Sequence, residues 1–134
     1  MKENWSPTDN YLLLFRSETW YRDLEEEKVT EIVTKWMEWY TGLVKSGVVE
    51  NGRPLASSGK VVTAPGVVKD GPFAEAKETV GGYFIVNAKS IDEAVAVANQ
   101  CPGLPYGVMV EVRPMMESCP VSKESVAKLA AAFV

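Results

Sequence analysis

Residues 70–78 read DGPFAEAKE, and GGYFIV follows at 81–86. Aspartate followed by glycine is a favoured turn pair, and Pro72 fixes the direction in which the chain leaves that turn. Residues 79–87 are rich in β-branched and aromatic side chains, which predicts a strand. The glycine pair inside it indicates a bulge or a close approach of another backbone. The stretch therefore predicts a chain reversal that leads directly into a strand, with a carboxylate and an aromatic ring beside the turn.

The segments on either side alternate between strand and helix patterns. Asp23 and Ser90 each begin a capping-box pattern, and apolar residues then recur at the three-to-four spacing of a helix face. Asn-Gly-Arg-Pro at 51–54 is a cluster of turn residues. The predicted elements besides 79–87 are strands at 11–16, 60–63, 67–69 and 106–113, helices at 23–46 and 90–101, and a tail helix from Ser122.

This order of elements predicts an α+β, ferredoxin-like fold with an antiparallel sheet. Two amphipathic helices cover only one face of such a sheet. Strand 11–16 reads YLLLFR, so apolar side chains project to both faces. We therefore expect a second copy of the chain to bury the other face in a homodimer, with the tail helix as an alternative cover.

Bulk properties narrow the class of protein. The chain has 134 residues, which predicts one domain over 1–134, with a core at 11–115 and a C-terminal helical extension at 118–134. Its longest apolar runs are too short to cross a bilayer, so no membrane partner is predicted. Residues 1–7 show no export signal, which favours the cytoplasm.

Charge and cysteine content exclude several functions. The net charge is −4 and no basic cluster is present, so no nucleic-acid partner is predicted. Neither Cys101 nor Cys119 has metal-ligand spacing, and the glutamate run at 25–27 cannot surround an ion because adjacent helix residues diverge. No phosphate loop, dinucleotide fingerprint or serine-hydrolase elbow is present. We predict no metal and no cofactor.

The residues 70–86 resemble the signature of the DGPF (YCII-related) family. Further segments resemble that family in the same order, so that the resemblance covers residues 11–115. These segments are LLLFR at 12–16, KWMEW at 35–39, Gly52 with Pro54-Leu55, DEA at 92–94 and EVRP at 111–114.

The resemblance implies a ferredoxin-like domain of the dimeric α/β-barrel type, with a cleft between sheet and helices or at the dimer interface. In YCII relatives a His-Asp pair has been proposed as an active site, one branch removes chloride from a chlorinated aromatic diol, and some DGPF proteins are associated with sigma factors. Many relatives have histidine after the Cys-Pro that follows the second helix. Gly103 stands there in this chain, which contains no histidine.

Asp70 is the candidate catalytic residue. A carboxylate beside a glycine can approach a ligand closely and acts as a base if burial raises its pKa. The alternative is a turn-forming residue that bonds nearby backbone amides. Phe73 and Tyr83 are candidate ligand-binding residues, with packing in the core as the alternative.

Arg16 and Arg113 are candidate binding residues for an anion. They belong to the first and last strands, which are neighbours in the predicted sheet, so their guanidinium groups can converge. Glu111 offers the alternative of a structural ion pair.

Three functions follow as hypotheses. The first is binding of a small organic molecule in a cleft near Asp70. The second is a lyase or isomerase-like activity with Asp70 as base. The third is a non-catalytic regulatory or interaction module, as the sigma-factor association of the family implies.

Overall fold

A computed structural model describes residues 7–17, 19–71 and 79–116. Its elements, in chain order, are β1 (Pro7–Arg16), α1 (Glu26–Lys45), β2 (Val49–Pro54), β3 (Gly59–Thr63), β4 (Val67–Gly71), β5 (Val80–Asn87), α2 (Ile91–Ala98), a 3-10 turn (Leu104–Tyr106) and β6 (Met109–Met116).

Four strands form one antiparallel sheet in the order β2-β5-β1-β6. With α1 and α2 in their places along the chain, this is the strand order of the split βαβ, ferredoxin-like arrangement. Strands β3 and β4 form a separate antiparallel hairpin inserted between β2 and β5. The predicted fold class is confirmed, and the β-branched segments at 60–63 and 67–69 are strands of that inserted hairpin.

Three local predictions were wrong. The turn cluster at 51–54 lies in β2, where it pairs with β5. Asp23 does not cap α1; Glu25 occupies the N-cap position, without a side-chain cap hydrogen bond. The last strand, predicted at 106–113, continues past Pro114, because β6 lies at the sheet edge, where a missing N–H donor is tolerated.

The second helix begins as its sequence predicts. The Ser90 hydroxyl accepts a hydrogen bond from the Glu93 N–H at 3.2 Å, and the Glu93 carboxylate accepts one from the Lys89 N–H at 3.2 Å. Ala94 and Ala98 are buried, whereas Ile91 and Val95 are exposed. The buried face of α2 therefore consists of two alanines, with Val97 partly buried against the core beside them.

The core lies between the sheet and the helices. Alternate residues of β1 point into it, and β5 contributes its own alternate residues beside them. Tyr11, Leu13, Phe15, Phe84 and Val86 form this layer of the core. Leu12 and Leu14 lie on the opposite face, where they are half-buried.

Helix α1 divides its apolar residues between two environments. Trp36, Tyr40 and Leu43 pack against the core, whereas Val33 and Met37 are exposed. Trp39 also packs against the core. The prediction of one continuous apolar helix face is therefore wrong in detail. The residues that face the core are mainly aromatic, whereas Val33 and Met37 line a cleft.

Two predictions lie outside the described residues. These are the tail helix of the extension at 118–134 and residues 72–78 of the signature. Neither described helix combines the length and the apolarity that a membrane crossing requires.

Candidate functional site: an aromatic cleft between helix and sheet

The larger of two clefts opens between α1 and the ends of β2 and β5, with a volume of about 390 Å³. Its floor and helix side present aromatic rings, and Val33 and Met37 flank them. The strand side of the lining includes three glycines, Gly52, Gly81 and Gly82. The lining contains the mutually contacting rings of Phe15, Trp20, Trp36, Tyr40 and Phe84, together with Tyr83.

These rings support one another by direct contact. The centroid of the Phe15 ring lies 4.7 Å from that of Phe84 and 5.3 Å from that of Trp36, both edge to face. Trp20 stacks on Trp36 with centroids 6.1 Å apart. Such pairs each add about 0.5–1.5 kcal/mol beyond the area that they bury. The aromatic wall is therefore held in place before any ligand arrives.

Glycine allows β2 to approach β5 closely at the strand side. A Cβ added to Gly52 would lie 2.5 Å from Phe84 Cδ1 and 2.5 Å from the Tyr83 carbonyl oxygen. A Cβ added to Gly82 would lie 3.0 Å from the Arg53 carbonyl oxygen. The pairing of β1 with β5 skips Gly81, which confirms the predicted bulge.

A second cleft of about 210 Å³ adjoins the first. It shares Phe15, Trp20, Trp36 and Gly81 with the larger cleft. Its remaining lining includes hydroxyl-bearing residues, namely Ser17, Tyr21 and Ser57, together with Leu55 and Val108.

Asp70 lies away from this site. It is a residue of β4, its carboxylate forms an ion pair with Lys60 across the hairpin, and its side chain is 83% exposed. As the described residues define them, neither cleft includes Asp70 in its lining. This geometry favours a structural role, and a catalytic role for Asp70 stays a prediction.

Arg16 and Arg113 flank one carboxylate. Arg16 Nη2 lies 2.5 Å from Glu111 Oε1 and donates to it, and Arg113 Nε lies 3.8 Å from Glu111 Oε2. Glu111 stands opposite Leu14 in the β1–β6 register, between the two arginines. The arrangement favours the cross-strand ion pair over an anion site, and binding by the two arginines stays a prediction.

Of the two predicted aromatic residues, Tyr83 contributes to the lining of the larger cleft, and Phe73 lies outside the described residues. Trp36 lines both clefts. Trp20 was not among the predicted site residues. The feature that could have identified it is the adjacent pair Trp20-Tyr21 in a connecting segment, where no helix or strand periodicity accounts for large aromatic side chains.

Cys101 is the one described cysteine, and it is buried. Burial raises the pKa of its thiol from an ordinary value near 9 to about 11, so the thiol is protonated at neutral pH and is a poor nucleophile. Within residues 7–17, 19–71 and 79–116, no group of three or more metal-ligating side chains comes together.

Comparisons with known proteins identify relatives. The profile of the YCII-related domain matches residues 17–117. An uncharacterized protein of Rhizobium meliloti (strain 1021) is 31% identical over 94 residues, which are 68% of this chain and 76% of that protein. The solved structure of 5-chloro-2-hydroxyhydroquinone dehydrochlorinase from Burkholderia phenoliruptrix AC1100, in complex with 2,5-dihydroxybenzoquinone, is similar with a TM-score of 0.48 at 14% identity, over 81% of this chain and 95% of that one.

Proposed function

The chain belongs to the YCII-related domain family, and we propose that it binds a small, flat, largely apolar aromatic molecule in the larger cleft. The observation that carries the proposal is the set of mutually packed rings around about 390 Å³ of open volume. Pockets for small molecules have about 300–1,000 Å³ and are lined mainly by apolar and aromatic side chains.

The chemistry of the lining defines what the cleft accepts. Rings in offset or edge-to-face positions stabilise a further aromatic ring between them. Each square ångström of apolar surface that the ligand buries contributes about 25 cal/mol. Arg53 is the one described charged residue in the lining, so a highly charged ligand would leave most of its charge without partners.

Filling the cleft tests this proposal. Val33 is 44% exposed and lines the cleft from α1, so a larger side chain there can occupy ligand space without overpacking the core. We expect Val33→Trp to weaken the binding of indole and naphthalene at least 10-fold, as measured by ligand-observed NMR titration.

Val44→Trp is the matched control. Val44 belongs to the same helix, is 40% exposed and is not part of the cleft lining that the described residues form. The Val44→Trp variant should bind both probes with the affinity of the wild type. The proposal is wrong if the wild type binds neither probe, or if the two tryptophan variants behave alike.

We further propose that the chain acts as a homodimer, joined through the sheet face opposite the helices. Half-buried Leu12 and Leu14 lie on this face. Met109 stands opposite Arg16 in the register and is 47% exposed. Apolar side chains exposed on one face of a sheet are stabilised by a partner that excludes water from them.

Light scattering tests the dimer. The wild type should show twice the 14.7 kDa of one chain. Met109→Lys should shift the mass toward that of one chain, because a sheet-to-sheet interface would bury the added ammonium group directly opposite the positive charge of Arg16. Val95→Lys, on the exposed side of α2, should leave the dimer intact. A wild-type mass of one chain would refute the dimer.

A further inference from the structure

We propose that the two clefts form one site with two compartments, and that its ligand has a flat apolar body and an uncharged hydrogen-bonding end. The body lies among the aromatic rings, and the polar end lies beside Ser17 and Ser57. This inference rests on the proposed function and adds the chemical class of the ligand.

The two compartments adjoin each other. Phe15, Trp20, Trp36 and Gly81 line both the 390 Å³ cleft and the 210 Å³ cleft. A ligand that stacks against Trp20 and Trp36 in the larger cleft therefore lies next to the smaller one, and the proposal places its polar end there.

The character of the lining changes from one compartment to the other. Tyr21, Ser17 and Ser57 bring hydroxyl groups to the smaller cleft, and a hydroxyl both donates and accepts hydrogen bonds. No Lys, Arg, Asp or Glu is among the described residues that line this cleft. An ionised group placed there would lose water without gaining an opposite charge, so an alcohol or carbonyl fits better than a carboxylate.

The backbone at this junction is irregular in two adjoining places. Ser17 has φ of 86°, in the left-handed region that L side chains other than asparagine and aspartate rarely adopt. Its N–H donates to the Thr79 carbonyl oxygen at 3.2 Å, and the skipped residue Gly81 lies two positions further along. Strained residues and bulges cluster at ligand sites, where the surrounding structure holds them in place.

Serine at this position is informative because glycine would adopt the same backbone without strain. The left-handed conformation at position 17 occurs in a residue that also lines the smaller cleft. In this proposal the Ser17 hydroxyl contacts the ligand, and Ser57 acts beside it from the segment that follows β2.

Three naphthalene probes of similar size test the ligand class: 2-ethylnaphthalene, 2-(2-naphthyl)ethanol and 2-naphthylacetate. With the wild type, the alcohol should bind about 5- to 10-fold more tightly than the hydrocarbon, the gain expected from one or two neutral hydrogen bonds. The carboxylate should bind more weakly than the alcohol. Isothermal titration calorimetry measures all three affinities.

Variants assign the effect to the serines. The double substitution Ser17→Ala and Ser57→Ala should remove the advantage of the alcohol and leave the affinity for 2-ethylnaphthalene unchanged. Ser58→Ala is the matched control, because Ser58 is the next residue along the chain but is absent from the described lining of the smaller cleft. Circular dichroism melts confirm that each variant is folded.

The outcomes separate this inference from the proposed function. If none of the probes binds, the proposed function fails. If the hydrocarbon binds but the alcohol gains nothing, or if Ser58→Ala has the same effect as the double substitution, the two-compartment ligand is refuted while the aromatic cleft stands.

Discussion

Gly52→Ala is expected to lower the free energy of unfolding by about 3 kcal/mol, the upper part of the range for overpacked sites. The added methyl group would lie 2.5 Å from the Tyr83 carbonyl oxygen and 2.5 Å from Phe84 Cδ1. The carbonyl belongs to the neighbouring strand and cannot rotate away, so β2 must move outward from β5. Urea unfolding followed by tryptophan fluorescence measures the loss.

Gly42→Ala, the same substitution at another glycine, is expected to have the opposite effect on the free energy of unfolding. Gly42 lies inside α1, and an added Cβ would meet nothing within 4 Å. Alanine there should raise the free energy of unfolding by about 0.5–1 kcal/mol, because it restricts the unfolded chain and favours the helix. Equal stabilities for Gly52→Ala and the wild type would contradict the close approach of β2 and β5.

Gly52 also explains why one strand was missed from the sequence. Asn-Gly followed by Arg-Pro has the composition of a turn, and no apolar alternation offsets it. In the fold, the strand exists because its backbone pairs with β5 from Val49 to Pro54, and the glycine is needed for close approach rather than for a positive φ. That partner lies about thirty residues further along the chain, so local composition cannot report it.

Some patterns with a local physical cause were predicted correctly, although the capping box at Asp23 was not. The α2 cap depends on two residues three positions apart, and the hydrogen bond from the Glu93 N–H to the Ser90 hydroxyl is formed. The glycine pair at 81–82 predicted a bulge or close approach, and both occur. The ferredoxin-like order followed because each strand and helix was recognisable from short-range periodicity, apart from β2.

The candidate site was predicted less well, since a cleft is a property of packing between distant segments. Trp20, Trp36 and Phe84 come from a connecting segment, a helix and a strand, and only the assembled fold shows that they share one wall. Asp70 drew attention because of its place in a sequence signature, yet its side chain pairs with Lys60 on the inserted hairpin. The lining of the larger cleft includes residues 81–84 from the second part of the signature, whereas Asp70 from its first part is not among the described lining residues.

The second large effect is expected at Gly103, where many relatives have histidine. A Cβ added to Gly103 would lie 2.6 Å from Trp36 Cζ3 and 2.7 Å from Val108 Cγ2. The indole of Trp36 therefore fills the space that a side chain at 103 would require. Gly103→His should lower the free energy of unfolding by about 1–3 kcal/mol, since the buried Val108 leaves no room on one side and Trp36 must shift toward the clefts that it lines.

A double-mutant cycle decides whether Trp36 is the cause. Trp36→Ala alone should cost about 3–5 kcal/mol through lost packing. Gly103→His combined with Trp36→Ala should be more stable than the sum of the single effects by about 1–3 kcal/mol, because the imidazole then enters the vacated volume. Gly42→Ala combined with Trp36→Ala should be additive. If the effects of Gly103→His and Trp36→Ala are also additive, the clash with Trp36 is not what excludes a side chain at position 103. The link between the missing histidine and the aromatic cleft is then wrong.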